Sequence, residues 1–521
     1  MIQDLRAAVV RRLETIRGAG VVPRIWAKDP TVWSDDPETP EITNRLGWLR
    51  VGGEMLRLVG DLEAFANEIR RDFDRVVLLG MGGSSLAPEV FLRSFGRRAG
   101  YPSFHMLDST DPRAIAAVEN GGHLDRTLFI VASKSGTTLE TLSFYRYFWK
   151  QTAGCGSQFV AITDAGTPLE RLAQEQGFRR IFLNPDDIGG RYSVLSLFGL
   201  VPAALMGVPL EVLLGRAEAM AAKCGADVPP ARNPGAWLGT VMAEAALAGR
   251  DKLTFVLSPG IAPFGMWAEQ LVAESTGKDG KGILPVVDHV MRRATAYPAD
   301  RLFVVMELRG EEDPRRETWM GRLVSAGHPV VRITLEDQYD LAAEFFCWEF
   351  ATAVAGAVLG VNPFDQPNVA ESKRNTQRML ADRTEPAVLP QPRRHDVLSF
   401  FEGTREGDYV AVLAYLPPTT ENDERLRTLR VWLGDRLEAA VTSGYGPRYL
   451  HSTGQYHKGG PPKGHFIQLY EPSATDVRVP GEVYTFGELI AAQAAGDLQA
   501  LTSRGRPLIR VSDLEQLLEN A

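Results

Sequence analysis

The chain has 521 residues, 44% hydrophobic and 23% charged, an ordinary soluble composition with room for three or four compact units. Its net charge of -8 argues against a general nucleic-acid or membrane-surface role, so an anionic ligand would need locally positive sites. Cys155, Cys224 and Cys347 are odd in number and far apart, which excludes a disulfide framework or a zinc spacing and suits a reducing cytoplasm.

The first twenty residues carry an amphipathic helical pattern without the apolar core of a signal peptide. Residues 1–70 predict an N-terminal helical segment with Trp33, Trp48 and a Pro/Asp-rich loop. From Arg75 onward, short apolar runs alternate with amphipathic segments. The runs at 75–80, 103–108, 127–133, 158–164 and 179–184 predict strands separated by helices, hence a doubly wound parallel sheet within 71–220. The uncharged stretch 192–210 has the length of a membrane span, but Pro202 and Pro209 favour a buried core helix. A second α/β unit, 221–385, has predicted strands at 252–258, 282–287, 301–308 and 329–335. It ends in a helix through Phe345 and Phe350 to Leu359 that is apolar on most sides and therefore buried. Pro386, Pro390 and Pro392 mark a linker. Beyond it, a smaller C-terminal α/β unit, 396–521, has predicted strands at 409–416 and 464–470.

Four motifs carry chemistry. Gly80-Met81-Gly82-Gly83-Ser84-Ser85 follows the first strand, and Ser133-Lys134-Ser135-Gly136-Thr137-Thr138 follows the third. Glycines let backbone N–H groups approach an anion, the helix N-terminus adds partial positive charge, and hydroxyls with one lysine complete a phosphate cradle. Each turn alone reads equally as turn and capping chemistry; two at the carboxyl ends of one parallel sheet point to a site. Neither is a nucleotide fingerprint. In Gly189-Gly190-Arg191-Tyr192-Ser193, the arginine is either a surface ion pair with Asp186 or Asp187, or a buried or pocket residue. Gln270 and Glu274 share a helix face within the run 270–278. The polar turn Asn362-Pro363-Phe364-Asp365-Gln366-Pro367, then Lys373, follows the apolar helix; it delivers groups to a pocket or simply stops the helix.

In this order, over about residues 75–380, these motifs resemble the glucose-6-phosphate isomerase family. The resemblance implies two sugar-isomerase domains of flavodoxin-like topology and a reaction needing neither metal nor cofactor. It implies a phosphate site of Gly83, Ser84, Ser133, Lys134, Ser135, Thr137 and Thr138, with Gln270 and Gln366 also touching a small sugar-phosphate substrate. Glu274 would be the base, Arg191 the oxyanion partner, and Lys373 with a histidine the ring-opening groups. Family members are commonly dimers, so a homodimer is implied too; neither nucleic acid nor membrane is.

The family's histidine precedes the NPFDQP motif, where this chain offers only a displaced His328. The run 449–460, YLHSTGQYHKGG, resembles the isomerase half of bifunctional transaldolase/glucose-6-phosphate isomerase proteins, and of its histidines His457 is preferred as the ring-opening group. His451 and His457 as metal ligands is a lesser option, for want of an acidic or cysteine partner at suitable spacing. No transaldolase barrel is expected in the chain. A dual phosphoglucose/phosphomannose isomerase would use the same groups. A sugar-phosphate-sensing regulator would keep the phosphate turns without the Glu274, Arg191 and Lys373 set.

Overall fold

The computed structural model describes residues 2–287, 290–382 and 399–512. From residue 383 on, the proline-rich run read as a linker lies outside the described residues. Three parallel sheets organise the described residues. The first holds β1 (Arg75–Gly80), β2 (Ser103–Leu107), β3 (Thr127–Ala132), β4 (Phe159–Asp164) and β5 (Arg180–Asn184) in the order β2-β1-β3-β4-β5. Leu79 is level with Leu107 on one side and Val131 on the other. Every residue of β1, β3 and β4 is buried, because helices cover both faces of the sheet. The chain reverses winding between β1 and β3, so the crevice at their carboxyl ends is where such a sheet binds ligands.

The second sheet, β7-β6-β8-β9, comprises β6 (Lys252–Leu257), β7 (Leu284–Val286), β8 (Arg301–Leu308) and β9 (Val330–Leu335). The third, β11-β10-β12-β13, comprises β10 (Tyr409–Tyr415), β11 (Ala440–Tyr445), β12 (Gly464–Tyr470) and β13 (Leu508–Val511).

One apolar core joins the N-terminal segment to the first two sheets. Trp48 stacks on Tyr192, with ring centroids 5.4 Å apart, and Trp33 donates its indole N–H to the Ala353 carbonyl at 2.8 Å. The helix Leu197–Met206 is buried at all ten positions. The helix Leu341–Leu359 is long and apolar enough to cross a membrane, yet it is largely enclosed by the protein's own side chains.

The C-terminal unit docks over the first two. A Cβ on Gly277, just past the helix Phe264–Thr276, would lie 2.4 Å from Tyr456 Cα, so only glycine permits this approach. Arg448 reaches Glu89 and Asp108 of the first unit, each at 2.7 Å. This docking brings the turn Arg448–His451 to the carboxyl end of β1.

Candidate active site

The first glycine-rich turn becomes a tight helical turn, Gly82–Ser84, leading into the helix Leu86–Phe95. Gly82 has φ +55°, and a Cβ there would meet Gln270 Nε2 and the His451 carbonyl, both at 3.0 Å. A Cβ on Gly83 would lie 2.0 Å from the Gly190 carbonyl oxygen. The two glycine-rich turns therefore touch backbone to backbone, and this contact carries Arg191 over the end of β1. Ser84 is half-buried between them.

In the turn 133–138 the hydroxyls pair among themselves: Ser133 with Thr138 and Ser135 with Thr137, each at 2.9 Å. Ser133 is buried, Thr138 is half-buried, and Ser135 and Thr137 lie toward the rim. Thr138 precedes the helix Leu139–Gln151 without capping it, so that N-terminus keeps its electropositive end. Lys134 is not a free cation: its ammonium is tied to Asp164 at the end of β4 and donates to the Asp186 carbonyl at 2.9 Å. Burial nevertheless raises Asp164 above the ordinary carboxylate range against Lys134's pull.

Arg191 is 3% exposed and donates in four directions. It reaches the Ser275 hydroxyl at 2.7 Å, Gln366 Oε1 at 3.1 Å, and the carbonyls of Pro363 and Asp365 at 2.6 and 2.9 Å. Of the two readings of this arginine, the buried residue is the one found. Its Nη1 also lies 3.6 Å from Glu274 Oε1.

Glu274 and Gln270 share one face of the helix Phe264–Thr276, and Gln270 Nε2 bridges Glu274 Oε2 at 3.2 Å to the His451 carbonyl at 2.7 Å. Burial raises Glu274 above the usual glutamate value, while Arg191, His451 and Lys278 pull against it. Lys278, one turn on, pairs with Asp365 at 2.5 Å. Burial, reinforced by Arg191, pushes its ammonium down to about 7 despite Asp365.

The structure sets the candidate histidines apart. His457 sits on the short helix Gly454–Gly459, 2% exposed, with Nδ1 on the Tyr409 hydroxyl at 2.9 Å and its ring against Tyr409 and Phe466. Burial, then the charges of Lys458 and Arg506, hold it well below the usual histidine value. It is packed inside the C-terminal unit. His328 bonds the Ala294 carbonyl at 3.2 Å within the second unit.

The histidine that arrives is His451, whose Nε2 meets Glu140 Oε1 at 3.0 Å. Burial alone would raise Glu140, but His451, together with Lys373, holds it down at about 2. The sequence alone does not single out Glu140, because a glutamate in a helix's first turn is ordinary dipole complementation. Lys373 is exposed on the helix Pro367–Asp382, its charge reaching Glu140. Gln366 is exposed beside Arg191. The two histidines weighed as a metal pair face different surroundings, and among the described residues no three His, Cys, Asp or Glu side chains form a metal-holding group.

Comparison with known proteins bears on the family and the fold. A family model described as phosphoglucose isomerase matches residues 60–281. The glucose-6-phosphate isomerase of Symbiobacterium thermophilum is 30% identical over 393 residues, 64% of this chain and 86% of that protein. The probable glucose-6-phosphate isomerase of Methanococcus maripaludis is 27% identical over 382 residues, 65% of this chain and 85% of that protein. Among solved structures, a hypothetical protein from Thermus thermophilus superposes with TM-score 0.60 at 23% identity, covering 71% of this chain and 98% of that one. A glucose-6-phosphate isomerase from Chlamydia trachomatis does so with TM-score 0.54 at 20% identity, covering 74% and 81%; both likenesses show the fold. Family model, relatives and site together establish that the chain belongs to the glucose-6-phosphate isomerase family.

Proposed function

We propose that this chain interconverts glucose 6-phosphate and fructose 6-phosphate, with Glu274 carrying the proton between C2 and C1. The observation that carries the reading is a carboxylate made more basic by burial, 3.6 Å from a fixed guanidinium, beside two hydroxyl-rich turns. A base with a raised pKa is matched to abstracting a proton next to a carbonyl.

The sugar phosphate seats on the turns 82–85 and 133–138, held by their hydroxyls, their backbone N–H groups and the uncapped N-terminus of the helix Leu139–Gln151 rather than by Lys134, whose ammonium is already tied to Asp164. His451, oriented by Glu140, and Lys373 at the rim open the ring: one takes the anomeric hydroxyl proton, the other gives a proton to the ring oxygen, and the C1–O5 bond breaks. With Nε2–H engaged by Glu140, the Nδ1 lone pair of His451 remains for the substrate. Glu274 then takes the C2 proton, leaving a cis-enediolate whose oxyanion Arg191 stabilises more than the neutral sugar. Returning the proton to C1, with a hydroxyl proton passing from O2 to O1, gives the ketose. The residues of this scheme need no metal or redox cofactor.

The finer resemblance, to the isomerase half of bifunctional transaldolase/glucose-6-phosphate isomerase proteins, has support in the run 451–460. That run supplies His451 from the C-terminal unit in place of a histidine before the NPFDQP turn. A coupled assay for glucose 6-phosphate formed from fructose 6-phosphate tests the function. Turnover comparable to ordinary enzymes is expected (about 1–10³ per second), and no turnover rejects it. Mannose 6-phosphate in the same assay tests whether C2 epimers are also accepted.

A further inference from the structure

Gln493 lies on the helix Phe486–Thr502 of the C-terminal unit, 2% exposed, and both ends of its amide are used. Its Nε2 donates to Glu140 Oε1 at 2.8 Å, the same oxygen that meets His451. Its Oε1 accepts the Thr110 hydroxyl at 2.7 Å. Ionised Glu140 can only accept, so the NH2 group must face it and the Thr110 hydroxyl must donate to the other end. The Gln493 carbonyl accepts from the Tyr415 hydroxyl at 3.3 Å, which anchors the helix at this residue.

We infer that Gln493 is a positioning residue for ring opening: it holds Glu140 against His451, and so fixes which imidazole nitrogen faces the sugar. The inference rests on the His451 reading above. A carboxylate with a single donor can turn about its own torsions. Two donors converging on one oxygen, from different elements, define its place. Glu140 and Thr110 belong to the first unit, while His451 and Gln493 belong to the C-terminal unit. Docking of that unit and alignment of His451 with Glu140 therefore share this contact, and a displacement of about 1 Å at such a pair costs up to about a hundredfold in rate.

The test uses the full-length protein carrying Glu274→Gln, which removes the C2 base and leaves ring opening. Exchange between the α and β anomers of fructose 6-phosphate, followed by NMR magnetisation transfer, then reports ring opening and closing alone. Adding Gln493→Leu should slow that exchange about tenfold, and isosteric Thr110→Val about threefold, with affinity for fructose 6-phosphate within about twofold of the parent. Exchange at the parent rate in Gln493→Leu overturns the inference; if that variant does not fold, the same result in Thr110→Val does. A loss confined to affinity means a structural role only and overturns it equally. His451→Ala in the same background separates the two readings. If that variant also exchanges at the parent rate, the His451 role fails; if it is slow while Gln493→Leu is fast, only the present inference fails.

Discussion

His451 and Glu140 meet at 3.0 Å across the junction between the C-terminal unit and the first sheet, joining residues 311 positions apart in sequence. The imidazole is brought there by Arg448, three residues earlier, which grips Glu89 and Asp108. His451→Ala should therefore lower kcat about a hundredfold with KM little changed, the usual scale for a lost acid–base group. His457→Gln, by contrast, disturbs the packing against Tyr409 and Phe466. It should lower the melting temperature while the folded fraction keeps near-normal turnover. Steady-state kinetics alongside thermal unfolding distinguish the two.

The contact between the glycine-rich turns separates two adjacent-looking substitutions. Gly83→Ala would place its methyl 2.0 Å from the Gly190 carbonyl oxygen, and neither backbone can yield without moving Arg191. It should cost at least about a hundredfold in kcat/KM and several degrees of stability. At Gly190 a Cβ meets nothing within 4 Å, and its φ is not in the left-handed region. Gly190→Ala should melt within about 2 °C of the parent.

Glu349, within the helix Leu341–Leu359, is 0% exposed, and neither carboxyl oxygen has a hydrogen-bond partner among the described residues. Burial alone pushes it well above the ordinary glutamate value, so the folded protein holds a proton that the unfolded chain releases. The stability linked to that proton is fully present below the unfolded pKa and is lost as pH rises through the folded one. Glu349→Gln should thus match the parent near pH 4 and melt a few degrees higher at pH 8, where about 1 kcal/mol moves the midpoint by roughly 2–4 °C. Unfolding curves of both proteins at the two pH values provide the check.

The strands of the first sheet were readable because the central ones are fully buried apolar runs, two of them ending in Gly/Ser turns, a pattern with few other meanings. β7 came out shorter than the predicted 282–287, as Pro285 withholds a ladder donor and the strand lies at a sheet edge. β11 and β13 escaped notice: one carries Thr, Ser and Gly, the other is four residues long, and both are edge strands. The shared helix face of Gln270 and Glu274 is legible from their spacing, whereas Arg191 stays open between a surface ion pair and a buried residue until the fold buries it. His451 could not, because two histidines six apart in one glycine-bounded run are equivalent until the short helix Gly454–Gly459 turns the second inward. Glu140 and Gln493 depend on contacts across units, which no local pattern records.

The central claim is that Glu274 moves the proton. The measurement that tests it most directly is Glu274→Gln assayed in heavy water with glucose 6-phosphate. Isomerisation and exchange of the C2 hydrogen with solvent are followed by NMR, and substrate affinity is measured separately. Both reactions should fall by at least about a thousandfold while affinity stays within about threefold, since the turns 82–85 and 133–138 are untouched. Near-parental isomerisation, or C2 exchange that persists in the variant, would contradict it.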